Sequence, residues 1–565
     1  MSQNCYFYSM ISTRSFTIIL LLCAITALLG MIMIPLMDID ASQYASISRE
    51  MLENKSYLQV FDLGYDYLDK PPMLFWVSAI SMKILGVHDW SYRLPSFLFA
   101  VLAVYATYRL ALLFYRKEIA QLSAMVLAAS QAMFLITHDV RCDTMLMGWV
   151  TFSLWQMAAW YQAHRWKHFL LAFIAIAGGM MTKGPIALLV PAFAFVPHFI
   201  LRREWKQLFR WEYLAGILII AVMLIPMSIG LYRQFDLHPG KMINGVPIQS
   251  GLRFYYWTQS FGRYTGENRF NEMNHFTFLL ENMLWSFLPW ILCFLIALLF
   301  AVKDLVVKKF RLAPSEEFIS TGGFIITYCI LARSQAQLPH YIFVVFPLAS
   351  VVTAKFLFRL LYTGELIKWE KPLLIIHAVI FSLLWIAAIT LMVWPFKAIP
   401  GYVAALAVLC FIILFVILFS KKLQLPALLA IAFFTVTGVN IFLSTAFYPN
   451  VLKYQLGNDA AGFINEKHIP KEKIILYGIH SGRAFHFYGQ HIFPEVTSLQ
   501  NLQSTDIVLT SKDSLDVFQK SFPEMKVIHE GNHFGVTALS LPFLNPATRE
   551  KELPKYVLID LNGKH

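Results

Sequence analysis

Asp40 stands where a first long apolar run gives way to polar sequence, directly before an amphipathic stretch from Ala41 to Leu52. Two accounts fit an acid in that place. It caps the helix by accepting backbone N–H bonds, or it is a general base at a membrane-surface cavity, taking a proton from an attacking hydroxyl or amine. Asp38 offers the same capping chemistry. Further on, the prolines of Asp69-Lys70-Pro71-Pro72 fix the backbone and hold Lys70 on a rigid turn. An ammonium so held suits a phosphate as a point charge; the plainer account is a lysine that snorkels to the interface. Thr137 to Asp143 places two more acids, a histidine and Arg141 in a turn, with Asp143 opening the next apolar run. This is a solvated turn with an internal ion pair, or a wall of the cavity that holds Asp40.

Three further stretches carry polar groups between strongly apolar runs. Thr182-Lys183-Gly184-Pro185 breaks one such run; a break of this kind is tolerated where backbone lines a cavity, and it also suits a tight turn between two spans. Arg253, Arg263 and Arg269 are interleaved with aromatic residues from Phe254 to Tyr264. That pattern fits an aromatic belt, or a lipid headgroup site in which arginine grips phosphate. Ser334 to Tyr341 is a polar turn containing His340 and Tyr341.

The elements that must position these residues are membrane helices. The chain has 565 residues, 58% hydrophobic and 14% charged, with mean hydropathy +0.58. A soluble chain carries nearly twice that share of charge. Apolar runs of about 20 residues mark about thirteen spans between Phe16 and Phe447. Met73–Leu85 is too short for one and fits the interface within the first loop. The first run, Phe16–Met37, lacks a small-residue cleavage site and fits a retained span. Lys and Arg cluster in the loops after even-numbered spans, which assigns those loops to the cytoplasm and the N-terminus with them. Loops 38–91 and 233–276 and everything after Tyr448 then face the opposite side. Net charge +12 resides in these short loops and gives no indication of nucleic acid. The six Cys show no metal-ligand spacing.

From Tyr448 onward the pattern changes to short alternating runs. Lys473–Tyr477, Ala484–Tyr488, Ile507–Thr510, Met525–His529 and Val536–Leu541 read as strands, with helices over Asp459–Glu466 and Lys512–Phe522. The chain therefore divides into an α-helical polytopic membrane region, residues 1–447, and a small extracytoplasmic α/β domain, residues 448–565.

At these residues the chain resembles GT-C-fold membrane glycosyltransferases of the protein O-mannosyltransferase and lipid A aminoarabinose-transferase type. Asp40-Ala41-Ser42-Gln43-Tyr44-Ala45 followed by Arg49-Glu50-Met51-Leu52 is similar to the family's Asp-Glu-Ala-Arg-Tyr-Ala…Arg-Glu-Met-Leu element, and Tyr67-x-x-Lys70-Pro71-Pro72 to its Tyr-x-x-Lys-Pro-Pro. Asp143, Thr182-Lys183-Gly184 and Leu338-Pro339-His340-Tyr341 fall on further family segments, and Arg263 on a phosphate-gripping arginine. Gln337 stands where the family usually has Lys, Ala41-Ser42-Gln43 replace Glu-Ala-Arg, and no His lies just upstream of Arg263, where some members have one within a metal site. The resemblance implies a sugar transferase of the bacterial inner membrane that uses a polyprenyl-phosphate donor and a lipid, protein or glycan acceptor. Asp40 and Asp143 would be catalytic, and Lys70, Arg263, Tyr67, Lys183, Tyr341 and His340 would bind substrate. No cofactor is implied, and no divalent metal is supported by the residues present. A transporter or flippase of lipid-linked or anionic solutes is the alternative; against it, the sequence shows no inverted repeat and no matched pair of broken helices.

Overall fold

The computed structural model describes residues 11–265, 267, 275–396, 401–420, 425–480, 482–535 and 539–563; the side chains of Arg263, Tyr264 and several positions of helix Gly401–Leu418 are outside the described set. Most of the chain is helical. Among the described residues, six helices are long and apolar enough to cross a membrane, Thr13–Met33, Asp89–Phe114 and Ile367–Val393 among them. A seventh is added if Lys117–Ala128 and Gln131–His138, bent by 52° at their junction, form one span. The expected span over residues 119–136 is thus not one straight helix. The run Thr277–Ala301 is also divided, into Phe278–Ser286 and Ile291–Val307. Pro289 lies in the gap, where it has no N–H to continue the helical ladder.

The core is one large apolar cluster through the helices, with a second cluster under the first loop. The helix Asp40–Glu53 is buried along most of its length and packs on helix Met73–Leu85. Asp40 is its first residue and Ile39 its N-cap, with no side-chain capping bond. The capping account of Asp40 is therefore not what the fold uses.

Two hairpins stand on the long loops. Phe61–Asp62 pairs with Tyr65–Asp66 around Leu63 and Gly64, and Lys241–Ile243 pairs with Val246–Ile248 around Asn244 and Gly245. Asn244 and Gly245 both have positive φ, 48° and 74°, as a two-residue turn of this hand requires. Gln234 ties the loops together: it donates to the Val60 carbonyl at 2.8 Å and accepts from the Val60 N–H at 3.1 Å. Lys241 meets Asp66 at 2.8 Å.

The C-terminal region holds a five-stranded sheet ordered Glu495–Val496, Ile474–Tyr477, Ile507–Ser511, Lys555–Asp560, Lys526–Asn532. The first three strands run parallel and the last two join antiparallel. Helix Leu456–Glu466 covers one face through Ala460 and Ile464, and helix Leu515–Ser521 covers the other through Phe518. One expected strand is wrong: Ala484–Tyr488 lies in a helix, Arg483–Gly489. Phe485 and Phe487 point to opposite sides of it, one into the sheet core and the other into the cluster under the first loop. Of the expected strand Val536–Leu541, residues 536–538 lie outside the described set, and Leu541 begins a short helix, Leu541–Leu544.

Candidate active site

The long loops, the turn before helix Cys142–Ala163 and the Leu338–Tyr341 turn meet at one end of the helices. They enclose a cavity of about 600 Å³ lined by Asp40, Lys70, Arg141, Asp143, His340 and Tyr341 among others. Acids and cations that are far apart in sequence are thus brought to one wall. Each is paired in a definite way.

Arg141 grips Asp40 through Nη1 and Asp139 through Nε, the latter at 3.0 Å. Burial works against the Arg141 charge, but the Asp139 and Asp40 carboxylates hold it above the usual arginine range. Arg141 engages Oδ2 of Asp40, and Oδ1 has no protein partner among the described residues. Asp40 is 34% exposed, so its carboxylate is fixed on one side and open to the cavity on the other.

Lys70 is paired with the neighbouring Asp69. Burial opposes the Lys70 charge, and Asp69 more than restores it, so the ammonium is held above the usual lysine range. Asp69 is fixed in turn by Gln259, whose amide donates to its Oδ1 at 2.8 Å and to its backbone carbonyl at 3.0 Å. The second loop therefore braces the lysine turn of the first.

Asp143 is buried, and Lys183 Nζ donates to its Oδ1 at 2.5 Å. His340 Nε2 lies 3.5 Å from its other oxygen. The Lys183 ammonium also sits 3.8 Å above the Tyr341 ring, a favourable place for a cation. The Gly184 break lets this happen: with φ +96° it ends helix Trp166–Lys183 and leaves Lys183 as its last residue.

A second cavity, about 330 Å³ and mostly apolar, adjoins the first. The two share Asp69, Lys70, Asp143, Phe254, Gln259 and Tyr341, and the second runs on between Leu189, Phe193, Ile330 and Val344. Lys183 lines this part.

Not every expected site residue joins this group. The Arg263 side chain lies outside the described residues. Tyr67 is buried beneath the first loop, edge-on to Phe75 with ring centroids 5.8 Å apart, and lines a different, polar cavity. Among the described residues, no group of three or more His, Cys, Asp or Glu is placed to hold a metal ion.

The sequence did not point to the pairing of Arg141 or to the part played by a C-terminal helix. Arg141 is the direct partner of Asp40, across 101 positions of chain. The C-terminal helix Arg483–Gly489 holds the turn before Asp40: the Ala484 N–H donates to Asp38 at 3.1 Å, Arg483 Nη2 to Asp62 at 3.1 Å, and Ser46 Oγ to the Arg483 carbonyl at 3.0 Å. Gly482 must be glycine for this contact, because a Cβ there would lie 2.2 Å from an Asp38 carboxylate oxygen. Burial raises the Asp38 pKa, while its bonds from Ser42 and the Ala484 N–H lower it in part.

Comparison with known proteins bears on this arrangement. Residues 69–229 match the family described as dolichyl-phosphate-mannose-protein mannosyltransferase. An uncharacterized protein of Aquifex aeolicus is 27% identical over 84% of this chain and 87% of its own length. An undecaprenyl phosphate-alpha-4-amino-4-deoxy-L-arabinose arabinosyl transferase of Wigglesworthia glossinidia brevipalpis is 24% identical over 56% of this chain. That match spans about half of the relative, 54% of its length. The crystal structure of ArnT from Cupriavidus metallidurans bound to undecaprenyl phosphate superposes with TM-score 0.71 at 18% identity, covering 97% of this chain and 98% of that one.

The chain has the fold of that crystal structure, the GT-C fold. In sequence it is similar to membrane glycosyltransferases of the ArnT and protein-mannosyltransferase type.

Proposed function

We propose that the protein transfers a sugar from a polyprenyl-phosphate donor to a lipid, protein or glycan acceptor at the extracytoplasmic face of a bacterial inner membrane. The single observation that carries this is the adjacency of the two cavities: acids, cations and a histidine line a polar chamber that shares part of its wall with an apolar one. A lipid-linked phosphate needs that combination, with the prenyl chain against Leu189, Phe193 and Val344 and the phosphate at Lys70. The names of the relatives support a donor of this kind.

In the transfer, the bond from the anomeric carbon to the phosphate oxygen breaks, and its electron pair leaves on polyprenyl phosphate. The acceptor oxygen bonds to that carbon, and its proton passes to Asp40. Lys70 stabilises charge developing on the leaving phosphate where water is largely excluded, and Arg263 is proposed to assist. Asp143, held by Lys183 and His340, orients the sugar. Direct attack with a separate base inverts the anomeric centre. About thirteen spans, with the N-terminus cytoplasmic and residues 448–565 extracytoplasmic, fit the basic-loop pattern of the sequence.

The test incubates purified protein with a panel of polyprenyl-phosphate sugars and a native membrane extract. Mass spectrometry then follows sugar loss from the donor and mass gain in lipid and protein fractions. The reading expects both, with release of polyprenyl phosphate. A transporter would release none, and no donor consumption by folded protein would overturn the reading.

A further inference from the structure

A third cavity, about 620 Å³, lies between the first loop, the tip of hairpin Lys241–Ile248 and the C-terminal region. It adjoins the Asp40 chamber, with which it shares Asp69, Ile243 and Asn244. Gln43, one helical turn beyond Asp40, lines it as well. Its wall is polar and its cations are already committed. Arg483 meets Asp62 at 3.1 Å, and from just outside the lining Lys241 meets Asp66 at 2.8 Å and Lys70 meets Asp69. Glu495, on the edge strand, adds a fourth carboxylate. Among the described residues, Arg483 and His480 are the only basic side chains of the lining.

Three polar atoms of residues in this wall are buried with no hydrogen-bond partner among the described residues: Asp62 Oδ1, Tyr67 Oη and Arg483 Nε. Asp62 and Tyr67 are each only 9% exposed. Buried polar groups are nearly always satisfied, so orphans that share one cavity indicate a ligand that meets them. Asp62 Oδ2 already accepts from Gln43 at 2.7 Å and from Arg483, while Oδ1 wants a donor. The tyrosine hydroxyl both donates and accepts. Hydroxyl and amino groups answer this set. A phosphate would bring negative charge to a wall that has four carboxylates and, among the described residues, a single arginine already paired with Asp62.

We propose that this cavity receives the headgroup of the acceptor, and that the headgroup is an unphosphorylated carbohydrate bearing hydroxyl or amino groups. This rests on the glycosyltransferase reading: one hydroxyl of that headgroup reaches past Asn244 and Asp69 into the Asp40 chamber, gives its proton to Asp40 and bonds to the anomeric carbon as polyprenyl phosphate leaves. Tyr67 then serves the acceptor side of the site.

The test measures binding to the full-length protein in detergent, by saturation-transfer NMR, of a glucosamine disaccharide, its 1-phosphate and its acylated form. Undecaprenyl phosphate binding is measured in parallel by native mass spectrometry. The disaccharide is expected to bind about tenfold more tightly than its phosphate. Glu495→Lys, on an exposed edge strand, is expected to weaken the disaccharide and narrow or invert that preference, and Asp62→Asn to weaken it further, both with undecaprenyl phosphate binding unchanged. Tighter binding of the acylated form would identify a membrane glycolipid as the source, and equal binding a soluble glycan. Equal or tighter binding of the phosphate by the unaltered protein, no binding of any carbohydrate probe, or no response to either substitution would overturn the proposal. Carbohydrate binding without undecaprenyl phosphate binding would instead fault the donor reading and leave the cavity's ligand class standing.

Discussion

Lys183→Met would leave the Asp143 carboxylate, 3% exposed, with His340 at 3.5 Å as its remaining ionisable neighbour among the described residues. The attraction now present across 2.5 Å is gross, about 7 kcal/mol at an effective dielectric near 20. Desolvation of both groups offsets most of it. The loss of one partner is nevertheless expensive, ~3–5 kcal/mol, because the other charge stays buried and uncompensated. Lys183 is itself partly exposed, which places the expected destabilisation near the lower end, about 3 kcal/mol. Removing both charges in Asp143→Asn/Lys183→Met should restore stability to within about 1 kcal/mol of the unaltered protein, since neutral replacement of a buried pair is often nearly neutral. The assay is unfolding by denaturing-detergent titration, followed by tryptophan fluorescence, for the two single variants and the double. A double-mutant coupling of at least about 2 kcal/mol is expected, with transfer lost in every variant that lacks Asp143. If Lys183→Met were as stable as the unaltered protein, or if the double variant were no better than it, the pair would not be what holds Asp143 in place.

Lys70→Ala should weaken undecaprenyl phosphate binding by roughly ten- to a hundredfold, the worth of one charge-assisted contact, with Lys70→Arg recovering part; native mass spectrometry reads this without turnover. Acid should destabilise the C-terminal region through His486. Burial pushes its imidazole down to about 3, with Arg49, Arg483 and His491 adding to the effect, and its Nδ1 accepts the Phe493 N–H at 3.2 Å. Below the ordinary histidine range the unfolded chain binds a proton that the folded chain refuses. Stability is therefore lost as pH falls from about 6.5 towards 3, at up to about 1.4 kcal/mol per pH unit. Thermal-unfolding midpoints at pH 7, 6 and 5 should fall for the unaltered protein and change less for His486→Gln.

Much of the site was legible because its chemistry sits in short polar breaks between apolar runs. Asp40, Lys70, Asp143, His340 and Tyr341 each stand in such a break, and alternate ends of successive spans bring these breaks to one side. Pairing was not legible. Nothing local to Thr137–Asp143 says that Arg141 reaches Asp40, since the contact depends on how helix Asp40–Glu53 lies across the bundle. Ala484–Tyr488 failed for a geometric reason. Residues two apart are about 200° apart around a helix and 180° apart in a strand, so a stretch this short does not separate the two periods. Its aromatics satisfy two different cores as a helix, which no strand propensity anticipates. The bend at Ala129 and Ser130 and the gap at Pro289 were likewise hidden inside runs whose hydropathy is continuous.

The most direct test of the central claim is single-turnover transfer by Asp40→Asn. The variant keeps the size of the side chain and a hydrogen bond to Arg141 but loses the base. With undecaprenyl phosphate binding intact, sugar transfer should fall by about 10²–10⁴, the usual worth of a general base. Transfer at the rate of the unaltered protein by folded Asp40→Asn would contradict the role assigned to this carboxylate.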